Sequence, residues 1–245
     1  MPKNFWKVVN EVISMSDILL LILDARLVHY TRNSEIEEKI ERSGKGIIYV
    51  INKSDLVDKK VVENLKNKFD HCVFMSAKKH QGTNVLRREI MKMAGGKEVV
   101  VGILGYPNVG KSSVINAISG SGGKAGTGHK PGYTKGLQKI RISQKMLMLD
   151  TPGVMPFREK DEVKHMLIGS IDPQRAKDPE CAAIALLETN KNRVNDWYFV
   201  EFEEDGETTL EKIATNLKFL KQGGKVDLRR TSIKILYDWQ KGKII

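Results

Sequence analysis

Residues 105–112, Gly-Tyr-Pro-Asn-Val-Gly-Lys-Ser, combine glycines, a lysine and a hydroxyl in an order that suits a polyphosphate. The glycines let successive backbone N–H groups turn inward on phosphate oxygens. Lys111 reaches the β- and γ-phosphates, and the Ser112 hydroxyl is placed for Mg²⁺. Asn108, Val109, Gly110 and Ser113 complete the expected cradle. An apolar run at 99–104 precedes the motif and a helix-like run at 113–118 follows it, so the stretch predicts strand, phosphate-binding loop and helix.

A second group of residues suits a purine. Asn52-Lys53-Ser54-Asp55 follows the apolar run at 46–51. A carboxylate there accepts hydrogen bonds from N1–H and the 2-amino group of guanine, two donors that adenine lacks, so adenine would leave Asp55 unpaired at a cost of about 1–3 kcal/mol. The Lys53 stem can lie over the base, and Asn52 can brace this loop against the phosphate loop. One strand-helix-strand unit later, Ser76-Ala77-Lys78 has the composition of a second base-binding loop that offers a backbone N–H to guanine O6.

A third group surrounds the γ-phosphate. In Asp150-Thr151-Pro152-Gly153 the aspartate is expected to hold Mg²⁺ through water and the Gly153 N–H to contact the γ-phosphate. Thr134, at the end of a glycine-rich stretch from 119 to 136 that is expected to be mobile, offers a hydroxyl to complete the Mg²⁺ shell, with Thr127 as runner-up. Lys111, Asn108, Thr134 and Gly153 are thus the candidate catalytic groups, and Ser112, Thr134 and Asp150 the candidate Mg²⁺ ligands. A glutamine after Asp-x-x-Gly orients water in Ras-like enzymes; here Val154 stands there, so intrinsic turnover should be slow. His129 lies in the glycine-rich stretch, where a lone histidine is usually just solvated.

The elements that must hold these groups alternate strand and helix. Phe5, Val8, Val9, Val12 and Ile13 recur at helical spacing over 4–15, with Trp6 as a packing residue. Residues 18–23 read as a buried parallel strand ending in Asp24-Ala25-Arg26, which are either functional or a loop brace. Helices are expected at 34–42, 59–69 and 83–93, a strand at 72–75, a hinge-like Ala94-Gly95-Gly96 connector, and a hairpin at 137–142 and 145–149. After Phe157 helical runs at 180–188, 210–220 and 232–239 predict a smaller α-helical domain.

All these motifs belong to GTPases, but base recognition precedes phosphate binding, the reverse of the usual order. The fold class implied is α/β, a circularly permuted P-loop GTPase domain at 1–157 with a mostly parallel sheet flanked by helices, followed by an α-helical domain at 158–245. An ATP-using kinase is disfavoured, because Asp55 would have no partner. The γ-phosphate loops end at Gly153, directly before the second domain, so their ordering is expected to reposition it.

Charge separates the two parts. Residues 1–157 carry 25 Lys and Arg against 14 Asp and Glu, and 158–245 carry 16 of each, with 9 basic against 2 acidic in 212–245. Lys221, Lys225, Arg229, Arg230 and Lys234 could grip RNA phosphates, or could form a solvated helix face. Cys72 and Cys181 have no metal spacing and suggest reduced, buried thiols. No apolar run is long enough to span a bilayer and no signal-peptide pattern is present, so a cytoplasmic protein without a membrane partner, and a monomer, is expected.

The arrangement resembles the YlqF/RbgA family of circularly permuted GTPases, through Asp24-Ala25-Arg26, Asn52 to Asp55, Ser76 to Lys78, Gly105 to Ser112, Pro131 to Thr134 and Asp150 to Gly153, and more faintly through Gly223 to Leu228 and Tyr237 to Ile244. The resemblance implies GTP hydrolysis to GDP, Mg²⁺, and a role in assembling the large ribosomal subunit, with rRNA and ribosomal proteins as partners. It also implies K⁺ held with the help of Asn108, for which a loop brace is the structural alternative. One departure stands out: some bacterial members carry a Gly-His pair near the N-terminus that is implicated in hydrolysis, and this chain has no histidine before His29. Two other readings stay open: a signalling or RNA-modification GTPase away from ribosomes, and a non-catalytic RNA-binding scaffold using guanine nucleotide as a structural ligand.

Overall fold

The computed structural model describes residues 4–120, 137–150 and 161–244. The chain forms two compact units, residues 1–159 and 160–245. Thr134, Gly153, Val154, Thr127 and His129 lie outside the described residues.

In the first unit, helix α1 (Asn4–Met15) leads into strand β1 (Ile18–Asp24), followed by α2 (Val28–Thr31), α3 (Ser34–Arg42), β2 (Gly46–Asn52), a 3₁₀ turn (Ser54–Leu56), α4 (Lys59–Lys66), β3 (Cys72–Phe74) and α5 (Thr83–Met93). Then come β4 (Val99–Leu104), α6 (Lys111–Ser119), β5 (Gln138–Ser143) and β6 (Met146–Asp150). The six strands form one sheet in the order β3-β2-β1-β4-β6-β5. All neighbours are parallel except β5, which pairs antiparallel with β6.

All seven residues of β1 are buried, as in a strand covered on both faces. Leu19 and Leu21 pack with Phe5, Val9, Val12 and Ile13 of α1 and with Ile36 and Ile40 of α3, while Leu23 and Ile51 pack with Leu65 of α4 and with Phe69. Phe69 lies beyond the helix expected to reach it, since α4 stops at Lys66. Trp6 is half-buried, edge-on to Phe5 at 4.6 Å, and Val8 packs at the margin of the same cluster. A side chain such as Leu19 gains about 1.5–3 kcal/mol from full burial, so this one stripe ties α1 firmly to the sheet.

A chain starting at β4, passing through the β5–β6 hairpin and then running into β1, β2 and β3 would build the same sheet. The permutation changes only which connection is closed.

The connection that closes it runs through 94–96, the stretch expected as a hinge-like connector. Gly95 N–H donates to Lys92 O and Gly96 N–H to Met91 O, with both glycines in the left-handed region (φ 60° and 73°), so α5 ends in a capped turn.

The second unit holds α7 (Glu162–Leu167), α8 (Pro179–Thr189), α9 (Lys191–Tyr198), α10 (Gly206–Asn216) and α11 (Leu228–Gln240). Asp161, Asp178, Asp205 and Asp227 each accept a backbone N–H at a helix start, so part of this unit's acidity is capping. The helix expected over 210–220 ends at Asn216 because Lys218 turns left-handed (φ 54°), which leaves Leu220 half exposed. The thiols also differ from expectation: Cys72 is half-buried and Cys181 exposed.

Among the described residues no helix is long and apolar enough to cross a membrane.

Candidate nucleotide site

Because β1, β2, β3, β4 and β6 run parallel, their carboxyl ends share one edge of the sheet. Asp24, Asn52, Ser76, Gly105 and Asp150 all emerge there, where open α/β sheets bind ligands.

The phosphate loop turns from β4 into α6. Gly110 takes φ 99°, and a Cβ there would collide with Asn52 Nδ2, so glycine is required both by conformation and by close approach. No side chain caps α6, which leaves its first N–H groups available to an anion. Asn108 also sits left-handed at φ 61°, a conformation asparagine tolerates better than most residues, which gives a backbone reason for its presence beside any ligand role.

Lys111 is buried, and its ammonium donates to Gly105 O at 3.0 Å and Tyr106 O at 2.8 Å. Burial pushes its pKa down to about 8, partly offset by the Asp150 charge. A phosphate would add opposite charge, beyond that of Asp150, to an ammonium hydrogen-bonded to two carbonyls.

Ser112 Oγ donates to Asp150 Oδ2 at 3.1 Å, and the Asp150 carboxylate is fully buried. A hydroxyl and a carboxylate brought together, both hard oxygen donors, fit a magnesium ion, the metal this class of fold implies.

Asn52 joins the two halves. Its Nδ2 donates to Val109 O of the phosphate loop at 2.9 Å, and its Oδ1 accepts from Ala77 N at 3.0 Å. The Ala77 N–H is therefore engaged with Asn52. Ser76 closes its own loop through two backbone bonds with Gln81 and accepts Lys79 N on its hydroxyl at 3.2 Å, whereas Lys78 is exposed.

Asp55, on the 3₁₀ turn, lies 3.5 Å from the exposed Lys79 ammonium. Lys79 is a neighbour that sequence reading did not single out, and its place directly after Ser76 to Lys78 was the available signal.

Lys53 is left-handed (φ 60°) and its ammonium is 2.8 Å from Asp24 Oδ2. Asp24 also accepts Arg26 Nε at 3.0 Å and Nη2 at 2.8 Å. Burial would raise the Asp24 pKa, but Lys53 and Arg26 outweigh it and hold the carboxyl well below the usual range. Burial draws the Lys53 pKa down, against the pull of Asp24.

A phosphate loop tied through Asn52 to the loop after β3, on a sheet whose strands are met in rotated order, is the arrangement expected of a circularly permuted P-loop GTPase, and the chain is similar to proteins of that kind. Residues 100–215 match the family described as 50S ribosome-binding GTPase. The chain is 42% identical to an uncharacterized GTP-binding protein of Methanocaldococcus jannaschii over 97% of its own length and 65% of that protein's. It is 29% identical to the nuclear GTP-binding protein NUG1 of Saccharomyces cerevisiae, covering 99% of this chain and 55% of that protein. It thus spans from about two thirds to about half of these relatives. GNP-bound YlqF from T. maritima shares the fold at a TM-score of 0.68 and 22% identity, over 98% of this chain and 94% of that one.

Proposed function

We propose that this chain hydrolyses GTP to GDP and phosphate and serves as an assembly factor for the large ribosomal subunit, docking in the GTP state and leaving after hydrolysis. The observation that carries the nucleotide reading is the pair of Asn52 hydrogen bonds, which hold the phosphate loop and the base loop together as one site. The ribosomal reading rests on the matched family's description and on the nuclear GTP-binding protein among the relatives.

In this reading Asp55 accepts the guanine N1–H and 2-amino donors, and Lys53 covers the base. The loop at Ser76, Ala77 and Lys78 borders O6, with Asn52 as the brace. Asn108, Val109, Gly110, Lys111, Ser112 and Ser113 wrap the phosphates, Lys111 exchanging its two carbonyl partners for phosphate oxygens. Ser112 and Asp150, with Thr134, hold Mg²⁺, which neutralises developing charge on the phosphates when bound. Gly153 offers its N–H to the γ-phosphate.

No glutamine follows Gly153, so turnover is slow until a partner or K⁺ near Asn108 supplies the missing group; activation of this kind reaches about 10⁵-fold in related chemistry. In the second unit, Arg229 donates to Ala176 O and Lys177 O and Lys234 pairs with Asp238, so these two serve the fold. The exposed Lys221 and Lys225 are better placed to meet rRNA.

The test is GTP turnover in K⁺ and in Na⁺ buffer, each with and without purified large subunits. Strong activation by subunits supports the assembly role; K⁺ sufficing alone would leave a self-contained GTPase, and no turnover under any condition would indicate a nucleotide-dependent scaffold.

A further inference from the structure

We infer that Asp24 is a positioning residue for guanine nucleotide binding: it anchors the Lys53 ammonium so that the lysine stem is held ready against the base. The inference rests on the base-site reading of Lys53 and Asp55 given above.

Strand register is the starting point. Asp24 and Asn52 end β1 and β2 as direct partners, and Ala25 N–H donates to Asn52 O at 2.9 Å, so the residue after Asn52 emerges beside the Asp24 carboxylate. That carboxylate is 2% exposed and already accepts three hydrogen bonds from Arg26: its backbone N at 3.0 Å, Nε at 3.0 Å and Nη2 at 2.8 Å. The Asp24 N–H in turn donates to Thr31 Oγ1 at 3.1 Å. A loop brace is complete with Arg26 alone.

Lys53 nevertheless brings a second cation to the same oxygen, at 2.8 Å with its side chain 22% exposed, so one carboxylate serves two positive groups. Desolvating a further cation beside an already paired carboxylate contributes little to the fold, even with the added pull of Asp55. The backbone sharpens the point, because Lys53 occupies a left-handed conformation that costs a residue with a Cβ about 1–2 kcal/mol and that glycine would take freely. The position tolerates that cost for a side chain, and the side chain is tied at its tip, on the same turn as Asp55 at the ligand edge of the sheet. Ordering a free lysine on binding would cost entropy; a pre-anchored one has already lost it.

The test measures the Kd of N-methylanthraniloyl-GDP, with thermal unfolding of the nucleotide-free protein alongside. Asp24→Asn should loosen binding about tenfold in the wild-type background and by less than about twofold in a Lys53→Met background, while the preference for guanine over xanthine nucleotide persists. Unchanged affinity in a folded Asp24→Asn protein, or an equal loss with and without Lys53, overturns the inference. Should Asp24→Asn not fold, Asp24→Glu, which keeps the charge but moves the carboxylate off its contact with the Lys53 ammonium, carries the same cycle with a smaller loss. Failure of the base-site reading is distinguishable, because then Asp55→Asn would not shift preference toward xanthine nucleotide, whatever Asp24 does.

Discussion

Asp24 and Asp238 are both buried aspartates with two cationic partners, yet they sit in regions built for different purposes. Around Asp238, Tyr198 donates its hydroxyl at 2.9 Å, Lys243 lies at 3.0 Å and Lys234 pairs one helical turn away; both lysine side chains are more than two-fifths exposed. These partners come from the same helix, the turn after it and the neighbouring α9, and they tie the end of α11 down. Around Asp24 the cations are Arg26 and Lys53, 2% and 22% exposed, at an edge where Lys111, Asp150 and Asn52 also converge. Buried charge alone therefore does not identify a site. Its place relative to the carboxyl ends of the strands does.

The largest test of this contrast is Lys111→Ala. Guanine nucleotide affinity should fall roughly 10³-fold. The melting temperature of the nucleotide-free protein should hold or rise, because a buried charge is removed; a clear drop would make Lys111 a structural residue. Next, Asp55→Asn should weaken GTP binding about 10²-fold and raise affinity for xanthosine triphosphate. Competition binding with both nucleotides checks this.

Asp238→Ala should do the reverse of Lys111→Ala. It should destabilise the helical unit by about 2 kcal/mol, since it strands the Tyr198 hydroxyl while the two lysines can return to water, and should leave nucleotide affinity unchanged. Urea unfolding beside a nucleotide titration separates the two effects. Lys221→Ala with Lys225→Ala should lower large-subunit affinity a few-fold and flatten its salt dependence by about two in slope, read by co-sedimentation across salt concentrations.

The smallest effect concerns protons. Burial holds Lys111 at a pKa of about 8 against an ordinary 10.5, so between those values the unfolded chain binds more protons and the nucleotide-free protein should gain stability as pH rises. That gain is lost as pH falls from 10.5 to about 8. A bound phosphate restores the charge, so near about pH 8.5 nucleotide binding should take up a fraction of a proton, measurable by calorimetry in two buffers of different ionisation enthalpy.

Much of this was legible in advance, for local reasons. α1, α3, α5 and β4 begin and end where the apolar spacing and the flanking turn residues place them. The phosphate and base motifs announce their chemistry through residue type and order. What stayed hidden depends on partners brought together by register. Asp24 could be read either as a functional group or as a brace with Arg26, and nothing local says that Lys53 shares its carboxylate until β1 and β2 are paired. α9 buries only Val194 and Tyr198 and so has almost no periodic signal, and the false extension of α10 came from Leu217 and Leu220 continuing a pattern that the backbone abandons at Lys218.

The turn at Gly95 and Gly96 has a practical meaning. A side chain built on either glycine would meet nothing within 4 Å, so the joint between the base-reading and phosphate-holding segments opens outward. A cysteine placed there to carry a fluorescent reporter would displace no neighbour, its only cost being a Cβ in the left-handed region, and would mark the joint between the two segments.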